Sequence, residues 1–134
     1  MNVQLTYNEI MNYVKSRFHV EPIMEAVDSK TLRITYKMNM FVPTVSVDLH
    51  IDSVSNKTVV LSYRCSDIVN GLLKGVIGFV EQKIPKHKVE VLTDTRLIKI
   101  HLNAFEELDR VLSIVEPTGI TFNNEAVVLD MTLA

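Results

Sequence analysis

Two hydrophobic periods alternate along this chain. Thr6 to Glu9 read TYNE, a capping-box pattern, and the spacing predicts a short helix to about Arg17 with Ile10, Tyr13 and Val14 on one face. Pro22 restricts the backbone of the next segment. From Thr31 the period becomes two. Leu32, Ile34, Tyr36, Met38 and Met40 alternate with Thr31, Arg33, Thr35, Lys37 and Asn39, which predicts a long half-buried strand broken at Pro43. Val45, Val47, Leu49 and Ile51 then alternate with Ser46, Asp48, His50 and Asp52. Ser55-Asn56-Lys57 turns the chain into Val59, Leu61 and Tyr63.

Ser66 to Ile84, SDIVNGLLKGVIGFVEQKI, carries the helical period instead. On a wheel of about 100° per residue its apolar residues, among them Ile68, Val69, Leu72, Leu73, Val76 and Phe79, fill an arc of roughly 180°. That is broader than a surface helix needs. Asp67, Asn70, Lys74 and Glu81 form a narrow polar strip, expected to be wet. Three of the chain's four glycines, Gly71, Gly75 and Gly78, line one border of the arc. Each costs about 0.8–1.0 kcal/mol relative to alanine. A bare stripe admits a close approach to the backbone. The visitor is the chain's own sheet, an apolar ligand or a partner subunit. The GxxxG spacing of Gly71 and Gly75 adds little, because its association role belongs to membrane helices.

Pro85 stops that helix and a second meander begins. Val89 and Val91 lead to a Thr93-Asp94-Thr95 turn and then to Ile98, Ile100 and Leu102. Asn103 and Glu106 frame a short helix with Phe105, Leu108, Leu112 and Val115 inward, closed by Pro117 and Gly119. A hairpin ends the chain: Ile120 and Phe122, an Asn123-Asn124 turn, then Val127, Leu129, Met131 and Leu133. The expected architecture is a single α+β domain over 1–134. A long, curved, mostly antiparallel meander wraps one central apolar helix, with two shorter helices beside it.

Composition narrows the functional classes. The 134 residues are 47% hydrophobic and 22% charged with a formal net charge of −2, a globular balance with no general pull toward nucleic acid. The N-terminal MNVQLTYNEI has neither a basic patch nor a continuous apolar run, so no signal peptide is expected. No apolar run reaches the ~18 residues of a membrane span. A cytoplasmic location is the default expectation. Cys65, the one cysteine, closes an alternating apolar run and is read as a buried inert thiol.

Candidate chemistry is sparse. No pair among His19, His50, His87 and His101 has helical ligand spacing, and no cysteine pair exists, so no metal site is expected. His50 and His101 fall on polar strand faces with Asp48, Asp52 and Lys99, as solvated side chains or a surface cluster. Glu106, Glu107 and Asp109 complement a helix N-terminus. No nucleophile elbow or phosphate loop occurs, so nothing argues for an enzyme, a catalytic residue or a cofactor. Lys83, Lys86 and Lys88 surround the end of the central helix, where they could meet an anionic headgroup. Methionines fill irregular gaps and adapt to loosely shaped ligands. Met38 and Met40 belong to the apolar side of the first long strand, Met131 to that of the last, and Met11 and Met24 to the N-terminal elements.

The tail RVLSIVEPTGITFNNEAVVLDMTL, Arg110 to Leu133, is similar to small bacterial members of the tubular lipid-binding superfamily. The whole rhythm from about Leu32 onward, a helix inside a bent antiparallel meander, resembles that family too. The resemblance implies a groove between helix and sheet for acyl chains or another extended apolar ligand. Met38, Met40, Leu72, Gly75, Val76, Phe79, Leu129 and Met131 are then the candidate lining. The alternative is an assembly protein with a filled core that forms a homodimer or binds a protein partner. A hotdog-type acyl thioesterase, also a sheet around one helix, ranks below both. Three strands precede the helix here, and Asp67 stands only at its start.

Overall fold

The computed structural model describes residues 1–18, 21–36, 44–74, 85 and 87–133. Met38, Met40, Gly75, Val76, Phe79, Lys83 and Lys86 lie outside the described residues, with the second half of the predicted central helix. The chain runs β1 (Asn2–Thr6), α1 (Tyr7–Phe18), β2 (Ile23–Asp28), β3 (Thr31–Tyr36), β4 (Val45–Ser55) and β5 (Thr58–Arg64). Helix α2 comes next, described over 67–74. Then come β6 (Val89–Leu92), β7 (Leu97–His101), a 3-10 turn (Leu102–Ala104), α3 (Glu106–Leu112), β8 (Val115–Phe122) and β9 (Ala126–Leu133).

The mixed α and β content and the antiparallel pairing agree with the sequence pattern. The single meander does not. The described strands form two sheets, one ordered β1-β9-β8 and the other β2-β3-β4-β5-β7-β6. Alternation names the strands but not their partners. β1, with Val3 and Leu5 as its only alternating apolar pair after Met1, joins the far end of the chain by pairing with β9. β8 also runs straight through Pro117 and Gly119, which were expected to close the preceding helix. Pro117 faces Met131, and a register shift between Pro117 and Gly119 absorbs the irregularity. An edge strand tolerates a proline because its outward amide has no ladder partner to lose.

Local chemistry explains the turns. Asn56 and Lys57 both take positive φ, 51° and 60°, which gives the tight β4–β5 hairpin its mirror-type turn. The capping box forms as its residues predict: the Glu9 amide donates to Thr6 Oγ1 at 3.2 Å, and the Thr6 amide donates to Glu9 Oε1 at 3.3 Å.

Opposed residues of paired strands share a face. Leu32, Leu49 and Tyr63 thus form one inner row, and Ile51, Leu61, Ile98 and Val91 another. The core joins Leu32, Ile51, Val59 and Leu61 of the larger sheet to Phe122 of the smaller one and Tyr7 of α1. Val59, at 1% exposure, is the most enclosed. Burying such a side chain contributes about 1.5–3 kcal/mol. The outer face carries Glu25, Arg33, Asp48 and Arg64 in register across β2 to β5. Arg33 donates to both oxygens of Asp48 there, at 2.9 and 3.2 Å. No helix among the described residues is long and apolar enough to cross a membrane.

Candidate functional site

Helix α2 is fastened by its polar strip. Arg96 ends the loop between the paired Leu92 and Leu97 with φ at 56°, a left-handed conformation that is costly for a residue with a Cβ. Its guanidinium compensates by donating to the Cys65 carbonyl and to Asp67 Oδ1, both at 2.6 Å. The Val69 amide donates to Ser66 Oγ at 3.2 Å, an N-cap contact. Asn70 is the central clasp. Its Oδ1 accepts from the Tyr63 hydroxyl at 2.7 Å, and its Nδ2 donates to the Thr93 carbonyl at 3.3 Å. Lys74 lies 3.7 Å from Asp94. Asp67 and Lys74 are exposed, as the strip's polarity predicts, and Asn70 alone of its described members is half-buried; Glu81 lies outside the described residues. Periodicity reports which residues share a side, not what that side meets.

The opposite side is set by helix geometry. Ile68 and Leu72 are four apart and so lie one above the other. Ile68 is 79% exposed and Leu72 40%, while Val69 and Leu73 are half-buried. Among the described residues, nothing beyond its own helix lies within 4 Å of a Cβ added at Gly71. Close packing by the described strands does not account for that glycine. The described turns of the helix thus expose Ile68 and Leu72 beside Gly71, with Val69 and Leu73 half-buried.

The described members of the predicted lining occupy separate places. Leu72 lies on α2, Leu129 is half-buried between Val3 and Ile120, and Met131 is buried opposite Pro117. Lys88 sets its ammonium 5.4 Å from the centre of the Phe105 ring. Met11 and Met24 come together in a recess of about 490 Å³ between the start of α1, β2 and the β8–β9 turn. Tyr7 shares its floor; Thr6, Asn8, Asn124 and Glu125 supply polar groups. The sequence held only the two methionines as a signal for that recess.

The remaining candidates separate as well. His50 Nδ1 meets Thr31 Oγ1 at 3.0 Å, and His101 Nδ1 meets Thr58 Oγ1 at 3.4 Å. These rows are set by Ser62 and Thr58 of the intervening β5. Four residues of strand are about 13 Å, so the two rings form no cluster. Asp48 is engaged by Arg33, and Asp52 accepts from the Ser62 hydroxyl at 3.0 Å. Burial pushes the Cys65 thiol above its ordinary value, which keeps it protonated and weakly nucleophilic. Among the described residues, no group of three His, Cys, Asp or Glu side chains is placed to hold a metal ion. In α3, Leu112 is buried as expected, but Leu108 is 38% exposed. Tyr13 of α1 likewise faces out, with the Arg17 guanidinium 5.3 Å from its ring centre. No family model matches the chain, and no curated protein or solved structure matches it either.

Proposed function

We propose that the protein is a non-enzymatic binding module for a lipid or another extended apolar ligand, seated against the outward apolar face of α2. One observation carries this reading: α2 is pinned through Asp67 and Asn70 while Ile68 and Leu72 face outward. A helix held at Asn70 cannot roll to bury Ile68 and Leu72 without breaking that clasp. Each methylene drawn from water onto that face contributes about 0.8 kcal/mol, which favours a long chain over a compact polar molecule. The likeness to tubular lipid-binding proteins in helix and strand rhythm points the same way, with Lys83, Lys86 and Lys88 as contacts for an anionic headgroup.

Native mass spectrometry of the purified chain tests this, together with titration of a fluorescent long-chain fatty acid. A co-purifying apolar species and saturable binding are expected, with affinity reduced at least about tenfold in Ile68→Asp, the equivalent of ~1.4 kcal/mol. A ligand-free mass with no saturable binding would remove the reading. The second reading, an assembly module with a filled core, draws on a different observation. Met1, Val3 and Leu5 stand exposed along the β1 edge, at 68%, 53% and 46%.

A further inference from the structure

We propose that β1 is an assembly edge, where two copies of this chain pair antiparallel about a twofold axis through Val3. The argument begins with backbone groups. The Met131 amide donates to the Met1 carbonyl at 2.9 Å, and the Tyr7 amide to the Glu125 carbonyl at 3.0 Å. Antiparallel pairs alternate between bonded and non-bonded. Met1, Val3 and Leu5 therefore spend their amides and carbonyls on β9, while those of Asn2 and Gln4 point away from it. Among the described residues nothing meets these outward groups.

Their spacing is self-complementary. Setting Asn2 opposite Gln4 of a second copy makes two bonded pairs, each exchanging two hydrogen bonds, with Val3 facing Val3 between them. Met1 and Leu5 of opposite copies then become neighbours on the same apolar face. The two three-stranded sheets merge into one, and the Asn2 and Gln4 amides both join the ladder.

Charge and edge design support a second copy. An exposed strand edge is normally blunted by charge, proline, a bulge or a cover. β2 has Glu25, Asp28 and a register shift; β6 is four residues long and carries Glu90. β8 has Glu116, Pro117 and a register shift, and two of its outward groups are taken: the Phe122 amide donates to the Ser29 carbonyl at 2.9 Å, and Lys30 Nζ to the Ile120 carbonyl at 3.0 Å. β1, NVQLT, has no charged side chain, proline or register shift. Contact over five residues a side is small, so association in the micromolar range is expected. This inference is independent of a ligand on α2.

Sedimentation velocity on the full chain, with cysteine cross-linking, tests it. The wild type should show a concentration-dependent dimer. Gln4→Pro removes an outward amide that β9 does not use, and Val3→Lys sets like charges face to face; both should sediment as folded monomers by circular dichroism. In a Cys65→Ser background, Val3→Cys should oxidise to a covalent dimer, because non-bonded opposite pairs bring Cα atoms to about 4.5 Å, within disulfide reach. Gln4→Cys, offset from its twin, should not. A wild type that stays monomeric throughout, a dimer untouched by both surface variants, or equal cross-linking at positions 3 and 4 would overturn the proposal. So would β1 pairing only with an added foreign peptide.

Discussion

Helices α1 and α2 are each fastened by a tyrosine hydroxyl, yet they bury their apolar residues to different extents. In α1, Tyr7 donates to the Asn123 carbonyl at 2.7 Å while its own ring enters the core, and Ile10 packs behind it. In α2, the hydroxyl comes from outside the helix, from Tyr63 of β5, and reaches Asn70 on the polar strip. The first arrangement draws the apolar side in. The second draws in Asn70 with the half-buried Val69 and Leu73, and leaves Ile68 and Leu72 exposed alongside Asp67 and Lys74. Amphipathicity alone therefore does not orient a helix of this length. A few directional bonds to buried partners can outweigh the burial of two aliphatic side chains, because an unpaired buried hydroxyl costs about 1–3 kcal/mol.

The largest contrast is expected from truncating one apolar residue in each helix. Tyr7→Ala should destabilise the fold by about 3–4 kcal/mol in urea unfolding, as for other buried aromatics. Ile68→Ala should stay within about 0.5 kcal/mol, the range of an exposed position. Comparable losses at both sites would erase the distinction between the helices. Next in size is the clasp. Asn70→Ala strands the buried Tyr63 hydroxyl and should cost about 2 kcal/mol. It should also speed amide exchange in 67–74 ahead of the sheet; uniform exchange would mean that α2 is held by something else.

The smallest effect is alkaline. Burial raises both Tyr7 and Tyr63 above the ordinary value of 10.0. The folded state thus holds these protons more tightly than the unfolded one, so stability is intact below pH 10 and falls as pH rises past it. Tyr7→Phe and Tyr63→Phe should each flatten part of that decline in denaturation midpoints measured across the range. A slope identical in wild type and both variants would show that neither hydroxyl is linked to folding.

Much of the strand framework was legible, and the reasons are local. TYNE announced α1, and alternation over 31–36, 45–51, 97–101 and 127–133 announced β3, β4, β7 and β9. What escaped depends on contacts far apart in the chain. β1 acquires its place only from β9, and β8 passes through Pro117 because its amide lies at an edge. The orientation of α2 depends on Thr93, Asp94 and Arg96, which no helical wheel contains. Of the predicted lining, Leu129 and Met131 were found as apolar strand positions, but alternation could not assign them to the smaller sheet. The recess at Met11 and Met24 joins three distant segments and left no motif.

The outward apolar face of α2 is tested most directly by thiol accessibility. Ile68→Cys and Ile10→Cys, each in a Cys65→Ser background, would be labelled with a water-soluble maleimide under native conditions. Position 68 should react at nearly the rate of an unfolded control and position 10 many times more slowly. Protection at position 68 in the ligand-free chain, equal to that at position 10, would contradict the account.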